Sequence, residues 1–248
     1  MNGAEESVAR TMLVAVGVAL FCSAMVTTAV FLLRPIQAAY QAIERNRAIV
    51  VAAGVVAPGA ADEAVVDAFL DLEALVIDRM TGERVEGLDP RTFDHWQVMP
   101  EPDQARPLHV PIYIRREQGR IVRVVFPVDG QGMWSTIYGY LALEPELNTV
   151  AALVIHEHGE TPGIGDRIQS PNWLAGWIGK QVRDAEGGLR IDVTADAALA
   201  PEHRVDVITG ATITSQAVGR MVRDWFGEDG YQSALPRLAA AIEDEGGR

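Results

Sequence analysis

The 248-residue sequence predicts an α+β protein: a single N-terminal transmembrane helix followed by a soluble domain with a mainly antiparallel sheet flanked by helices. Three observations predict this class. Residues 11–33 carry no charge and are bounded by Arg10 and Arg34-Pro35, long enough for a bilayer core that takes roughly 20 apolar residues. Between Pro111 and His156 lie two pairs of apolar runs, each joined by a few turn-forming residues, as in β-hairpins. Around them are segments with apolar side chains at spacings of three and four, the period of an amphipathic helix.

Residues 1–10 read as a short tail and 11–34 as the membrane-crossing helix. A cleaved signal peptide fits poorly, because its apolar region runs only about 7–15 residues and ends in a small-residue cleavage site. Residues 35–110 read as a helical and extended connecting region. There 38–51 continues as helix and breaks around Gly54 and Pro58-Gly59. In a second helix Ala64, Val65, Ala68, Phe69, Leu72, Leu75 and Val76 share a face, up to a stop near Thr81-Gly82. Pro90, Pro100, Pro102, Pro107 and Pro111 break any helix over 88–111, which reads as extended. Residues 111–248 make the soluble domain. Strands are expected at 112–114 and 120–128 across a Gln118-Gly119 turn, at 137–143 and 150–156, and at 189–194, which alternates. Helices are expected at 170–177, 215–226 and 231–243. The Gly-x-Gly within 129–133 lacks the third glycine of a dinucleotide fingerprint and reads as a turn.

Composition excludes some functions. With 34 acidic against 21 basic residues the formal charge is -13, unsuited to nucleic acid, whose phosphates demand clustered Lys and Arg. Lys180 is the only lysine. The single cysteine, Cys22, has no partner for an intrachain disulfide and cannot support a Cys-based metal or iron–sulfur site. Arg10 stands before the apolar stretch and Arg34, Arg45 and Arg47 after it, so the positive-inside rule taken alone would place the C-terminal domain in the cytoplasm.

Two segments carry candidate chemistry. The first is Ile208-Thr209-Gly210-Ala211-Thr212-Ile213-Thr214-Ser215. Gly210 and Ala211 have almost no side chain, so a bulky molecule can approach the backbone and the Thr212 hydroxyl. Val218, Met221, Val222 and Trp225 then recur at helical spacing, so a helix beginning at Thr214 or Ser215 would set Thr212 beside unpaired N–H groups that favour an anion. Thr and Ser could equally serve only as helix caps, with the glycine making a turn. The second segment is His156-Glu157-His158-Gly159-Glu160-Thr161-Pro162-Gly163-Ile164-Gly165, a strand end entering a loop whose three glycines and proline impose an uncommon path. Such a loop can meet the edge of a flat ring with its backbone groups, or be no more than a glycine-rich turn. His156 and His158 alternate onto one face near Glu157 and Glu160, but no third metal ligand and no His-Glu-x-x-His pattern accompany them. No P-loop occurs.

Asp206-Val207-Ile208-Thr209-Gly210-Ala211-Thr212 resembles the Asp-x-x-(Ser/Thr)-Gly-Ala-Thr signature on which a flavin transferase esterifies FMN, through its phosphate, to the last threonine. The run from Gly132-Met133-Trp134-Ser135 through Leu143, then Asn148-Thr149-Val150, His156 to Gly165, Pro171-Asn172-Trp173, Trp177-Ile178-Gly179-Lys180 and Thr209 to Ser215, resembles the C-subunit of the sodium-translocating NADH:quinone oxidoreductase. All stand in that family's order. The G-subunit of the related Rnf ferredoxin:NAD oxidoreductase shares the Glu-Thr-Pro-Gly loop and the Thr-Gly-Ala-Thr site but is less similar around Trp134 to Leu143. The resemblance implies that 111–248 is an FMN-binding domain relaying electrons between the redox centres of a multi-subunit membrane complex. It implies FMN held covalently on Thr212, with Thr209, Gly210, Ala211 and Thr214 around the attachment. Glu160, Thr161, Pro162, Gly163 and Ile164 would line the isoalloxazine, with Trp134, Ser135 and Lys180 nearby. It also implies a flavin transferase for maturation and a single-pass protein of the bacterial inner membrane with its soluble domain in the periplasm, against the charge reading. Ile164-Gly165-Asp166 departs from the expected Leu-Gly-Gly. A reading from another class is a membrane-tethered module that binds a ligand without redox work.

Overall fold

The structure is a computed structural model and describes residues 8–98 and 106–246. The expected tail as far as residue 7 and the middle of the proline-rich connection lie outside the described residues. The chain forms two compact units, Met1–Glu44 and Arg45–Arg248. One long helix, α1 (Val8–Ala52), contains Pro35, so the helices expected at 11–34 and 38–51 are a single element. It is apolar and long enough to cross a membrane, with a mean hydropathy of 2.3 and no burial in its most apolar window.

The second unit is built on a five-stranded antiparallel meander of β1 (Glu73–Asp78), β2 (His109–Glu117), β3 (Arg120–Gln131), β4 (Thr136–Leu143) and β5 (Val150–Glu157), in that spatial order. Gln118 and Gly119 both take positive φ, 53° and 82°, which a two-residue hairpin turn of type I′ requires. Side chains alternate between two cores. Ile112, Val124, Phe126, Leu141 and Ile155 face the larger one, with α4 (Thr212–Phe226) and α5 (Leu235–Gly246). Tyr113, Val125, Tyr140 and Ala151 face the smaller one, with Ala48 to Ala53 of the first helix's end and α2 (Asp62–Asp71). Burial on both faces explains why β2 to β5 read as nearly continuous apolar runs.

Several expectations need correction. The helical pattern that included Leu75 and Val76 ends at Asp71; Leu72 turns extended and Ala74 to Ile77 become the edge strand paired with Val110 to Tyr113. Residues 45–248 form one compact unit. Asp129 to Gln131 are strand rather than turn, and glycine at 130 lets α4 approach, since a methyl there would lie 2.8 Å from Met221 Cβ. Of the strand expected at 189–194 only β6 (Asp192–Val193) forms, parallel to β7 (Arg204–Val205). Its first half is drawn into a loop, where Arg190 and Ile191 N–H both donate to the Val182 carbonyl and Arg190 Nε bonds Asp184 at 2.6 Å. The helix expected at 170–177 is shorter, α3 (Pro171–Ala175). The last helix starts at Leu235 because Tyr231 is drawn into the core, its hydroxyl donating to the Pro127 carbonyl at 2.8 Å.

Beneath the smaller core Trp96 links the sheet to the connecting segment. Its indole N–H donates to Asp129 Oδ1 at 3.1 Å, and its ring lies against Tyr138, Tyr140, His95 and His156. Burial pushes His95 down to about 3 and His156 down to about 4, Arg45 adding to both, so both imidazoles are neutral in the fold. An unfolded chain would protonate them below about pH 6.5. Their contribution is therefore complete above that pH and is lost as pH falls toward 4, at roughly 1.4 kcal/mol per unit of pKa difference. Thermal unfolding from pH 8 to pH 4.5 should show a flat region followed by a falling midpoint below pH 6.5, and His156→Phe should make that fall shallower.

Candidate functional site

Thr212 is the first residue of α4, and Ala211 before it is non-helical, with φ -130° and ψ 36°. The helix thus begins two or three residues earlier than the apolar spacing suggested. The first intrahelical bond runs from Ser215 N–H to the Ala211 carbonyl at 2.9 Å, so the N–H groups of Thr212, Ile213 and Thr214 have no acceptor within the helix. The turn before it is pinned from inside. Ser215, fully buried, accepts from Ile208 N–H and donates to the Thr212 carbonyl. Arg167 donates to the Thr209 carbonyl at 2.8 Å. Thr209, Gly210 and Thr212 remain exposed while Ala211 and Thr214 are buried.

Glu160 joins this helix start to the turn between β3 and β4. It is only 4% exposed. Its Oε1 accepts from Trp134 N–H at 2.9 Å and more weakly from Ser135 N–H at 3.5 Å, while its Oε2 accepts from the Thr214 hydroxyl at 2.7 Å. Burial works to raise its pKa, but hydrogen bonds from Trp134, Thr214, Ser135 and Met133 outweigh it and hold the carboxyl below the usual range. Glycines close around it: a methyl at Gly132 would lie 2.5 Å from Oε1, and one at Gly165 would lie 2.8 Å from the Glu160 Cβ. The Ser135 hydroxyl in turn accepts from Gly159 N–H.

After Glu160 the chain turns outward. The Thr161 carbonyl collects the N–H groups of Ile164 and Gly165, and Gly163 takes a φ of 77°. Thr161, Pro162, Gly163 and Ile164 are all exposed. Four large apolar side chains stand in solvent on the segments that Glu160 gathers: Met133 at 50% exposure, Trp134 at 67%, Ile164 at 52% and Ile213 at 56%. Nothing lies within 4 Å of where a side chain would begin at Gly163 or Gly210. The arrangement is an apolar, glycine-opened surface beside a hydroxyl and three N–H donors that have no acceptor within the helix, which suits a flat apolar ring system bearing a phosphate.

The structure thus brings together Trp134, Ser135, Glu160 to Ile164 and Thr209 to Thr214. Glu160 and Thr214 support this surface from beneath rather than line it. Lys180 is not among them. Its carbonyl accepts from Val150 N–H at the start of β5, the opposite end of that strand from Glu157, and its ammonium donates to the Pro201 carbonyl at 2.7 Å. His156 and His158 also part company: His156 stacks on Tyr140, whereas His158 Nδ1 accepts from Glu160 N–H at 3.2 Å. Sequence reasoning overlooked Arg167 and the packing role of Gly132 and Gly165, whose signals lie in residues distant along the chain.

Residues 132–227 match the FMN-binding domain family, so the second unit holds an FMN-binding domain. The chain is 33% identical over 253 residues to the C-subunit of the Na(+)-translocating NADH-quinone reductase of Pseudomonas aeruginosa, covering 94% of this chain and 97% of that one. It is 34% identical over 250 residues to the C-subunit of the Yersinia pestis reductase, covering 94% of each. The crystal structure of Shewanella oneidensis NqrC superposes with a TM-score of 0.73 at 32% identity, covering 82% of this chain and 99% of that one. The chain belongs to the C-subunit family of Na(+)-translocating NADH-quinone reductases.

Two glycine substitutions separate packing from backbone strain. Gly165→Ala drives a methyl into Glu160 and should cost about 1–3 kcal/mol. Gly163→Ala meets no neighbour and should cost about 1–2 kcal/mol through its left-handed backbone alone. Melting temperatures of the two variants, with collisional quenching of tryptophan fluorescence to weight the exposed Trp134, should show the site disturbed by the first and little changed by the second.

Proposed function

We propose that this chain is the membrane-anchored subunit of a sodium-pumping NADH:quinone oxidoreductase that relays electrons through an FMN esterified to Thr212. The observation that carries the reading is the placement of an exposed Thr212 hydroxyl at the first position of α4, beside N–H groups that have no acceptor within the helix and the exposed Trp134, Ile164 and Ile213. The phosphodiester would sit on the N–H groups of Thr212, Ile213 and Thr214, at the positive end of the helix dipole. Thr161, Pro162, Gly163 and Ile164 would meet the isoalloxazine from one side and Trp134 and Ser135 from another, with Thr209, Gly210 and Ala211 leaving room for the phosphate. Bound there, FMN supplies the electron-carrying chemistry, and the chain's own residues orient it and keep it in place. Lys180, paired with Val150 at the end of β5 opposite Glu157, is given no role in this reading.

Attachment needs a partner enzyme, a flavin transferase. Breaking the phosphoanhydride of a flavin dinucleotide and forming the Thr212 Oγ1–phosphorus bond releases the nucleoside monophosphate and the hydroxyl proton. Such an enzyme would reach Thr212 only if the preceding turn is open, as Gly210 leaves it. We place the soluble domain on the periplasmic side of the inner membrane, following the family rather than the few flanking charges. Other subunits of the complex would supply and receive the electrons.

Intact mass of the full chain produced with a flavin transferase, beside Thr212→Ala, tests the reading. The expected result is an added FMN phosphoryl mass on the peptide holding Thr212, absent from the variant, with flavin fluorescence that survives denaturation. A wild-type chain without the adduct, under conditions that modify a known acceptor, would overturn covalent attachment.

A further inference from the structure

We infer that Glu160 is a fixed negative charge beneath the flavin seat and that it holds the reduction potential of bound FMN down. The inference rests on the FMN reading above. Among the described residues Glu160 makes no ion pair; its oxygens are engaged by neutral donors alone, Trp134 N–H at 2.9 Å, Ser135 N–H at 3.5 Å and the Thr214 hydroxyl at 2.7 Å. Gly132 and Gly165 close the space around it, where even a methyl would collide. A carboxylate so enclosed is screened far less than one in water.

Its position matters as much as its charge. Trp134 donates to it directly, Thr214 is two residues from Thr212, and Ile164 is the neighbour of Gly165, so the carboxylate lies under the meeting point of all three segments of the seat. Each electron that a flavin accepts there adds negative charge, which a nearby fixed carboxylate opposes. Arg167, which touches the attachment turn, is exposed and directed to the Thr209 carbonyl, Arg204 pairs with Asp206, and Lys180 donates to the Pro201 carbonyl, so each of these cations is engaged elsewhere than at Glu160. The α4 N-terminus offsets part of it, but the phosphate proposed on Thr212 draws on the same dipole.

The experiment is a potentiometric titration of the flavin absorbance in the full-length, FMN-loaded chain, for wild type, Glu160→Gln and Thr214→Val. Gln keeps an acceptor for Trp134 N–H and can donate to Thr214, so it removes charge while preserving the tie. Thr214→Val removes a hydrogen bond and keeps the charge. The expected result is a more positive potential in Glu160→Gln and none of that rise in Thr214→Val. Intact mass is read on the same samples. Glu160→Gln carrying FMN at an unchanged or lower potential overturns the inference and leaves the FMN reading standing, whereas a wild type without FMN overturns that reading itself. Glu160→Met is the second neutral variant, and if neither neutral variant takes up FMN while wild type does, the carboxylate serves loading of the flavin rather than its potential and the inference is overturned.

Discussion

A buried carboxylate must find hydrogen bonds, and the local architecture follows from where Glu160 finds them. Its donors belong to a turn between two strands and to the first turn of a helix, 26 and 54 residues away in sequence. Satisfying one oxygen draws in the backbone at Trp134; satisfying the other draws in Thr214 and, with it, the start of α4. Only glycines tolerate that approach at positions 132 and 165. The exposed hydroxyl of Thr212 and the exposed apolar side chains around it are held where they are by an interaction that is itself hidden from solvent. Polar satisfaction inside thus fixes the shape of an exposed apolar surface outside.

The sheet beneath explains how the site can be rigid while sitting on loops. Covered on both faces, it leaves its strand ends as the places where chain emerges, and the turn after β3 and the loop after β5 emerge at the same end. The two segments that flank Glu160 are therefore anchored by paired strands, and α4 is packed against β3 along its buried face. Arg79 closes the far side of the larger core in a similar way, fully buried and donating to the carbonyls of Pro107, Asp229 and Gly230.

What could be read in the sequence was local. The hairpin at Gln118-Gly119, the four central strands and α4 rest on patterns within a few residues of each other, and the run from Thr209 to Ser215 carries its meaning in contiguous small and hydroxyl side chains. What could not be read was set by distant partners. Leu75 and Val76 fit a helical face by spacing, yet strand pairing with β2 overrides that pattern. Residues 189–194 alternate like a strand, but Asp184 and the Val182 carbonyl claim the first half. Lys180 is set near the flavin by the resemblance, whereas its own carbonyl pairs with Val150 at the start of β5 and its ammonium with Pro201, contacts that no local pattern shows. Glu160 was recognised as a residue of the site by its motif, but its inward direction depends on Thr214, and no pattern in either segment announces the pairing.

The last turns of α1 have a bearing on how the protein is made. Ala48 to Ala53 sit in the smaller core with Tyr113, Tyr140 and Ala151, residues that leave the ribosome about 60–100 positions later. The apolar stretch that can enter a bilayer is synthesised first, and the same helix then presents a bare apolar face that stays open until β4 and β5 have been translated. Membrane insertion and closure of the core are thereby placed in a fixed temporal order, with one helix serving as the first element of both.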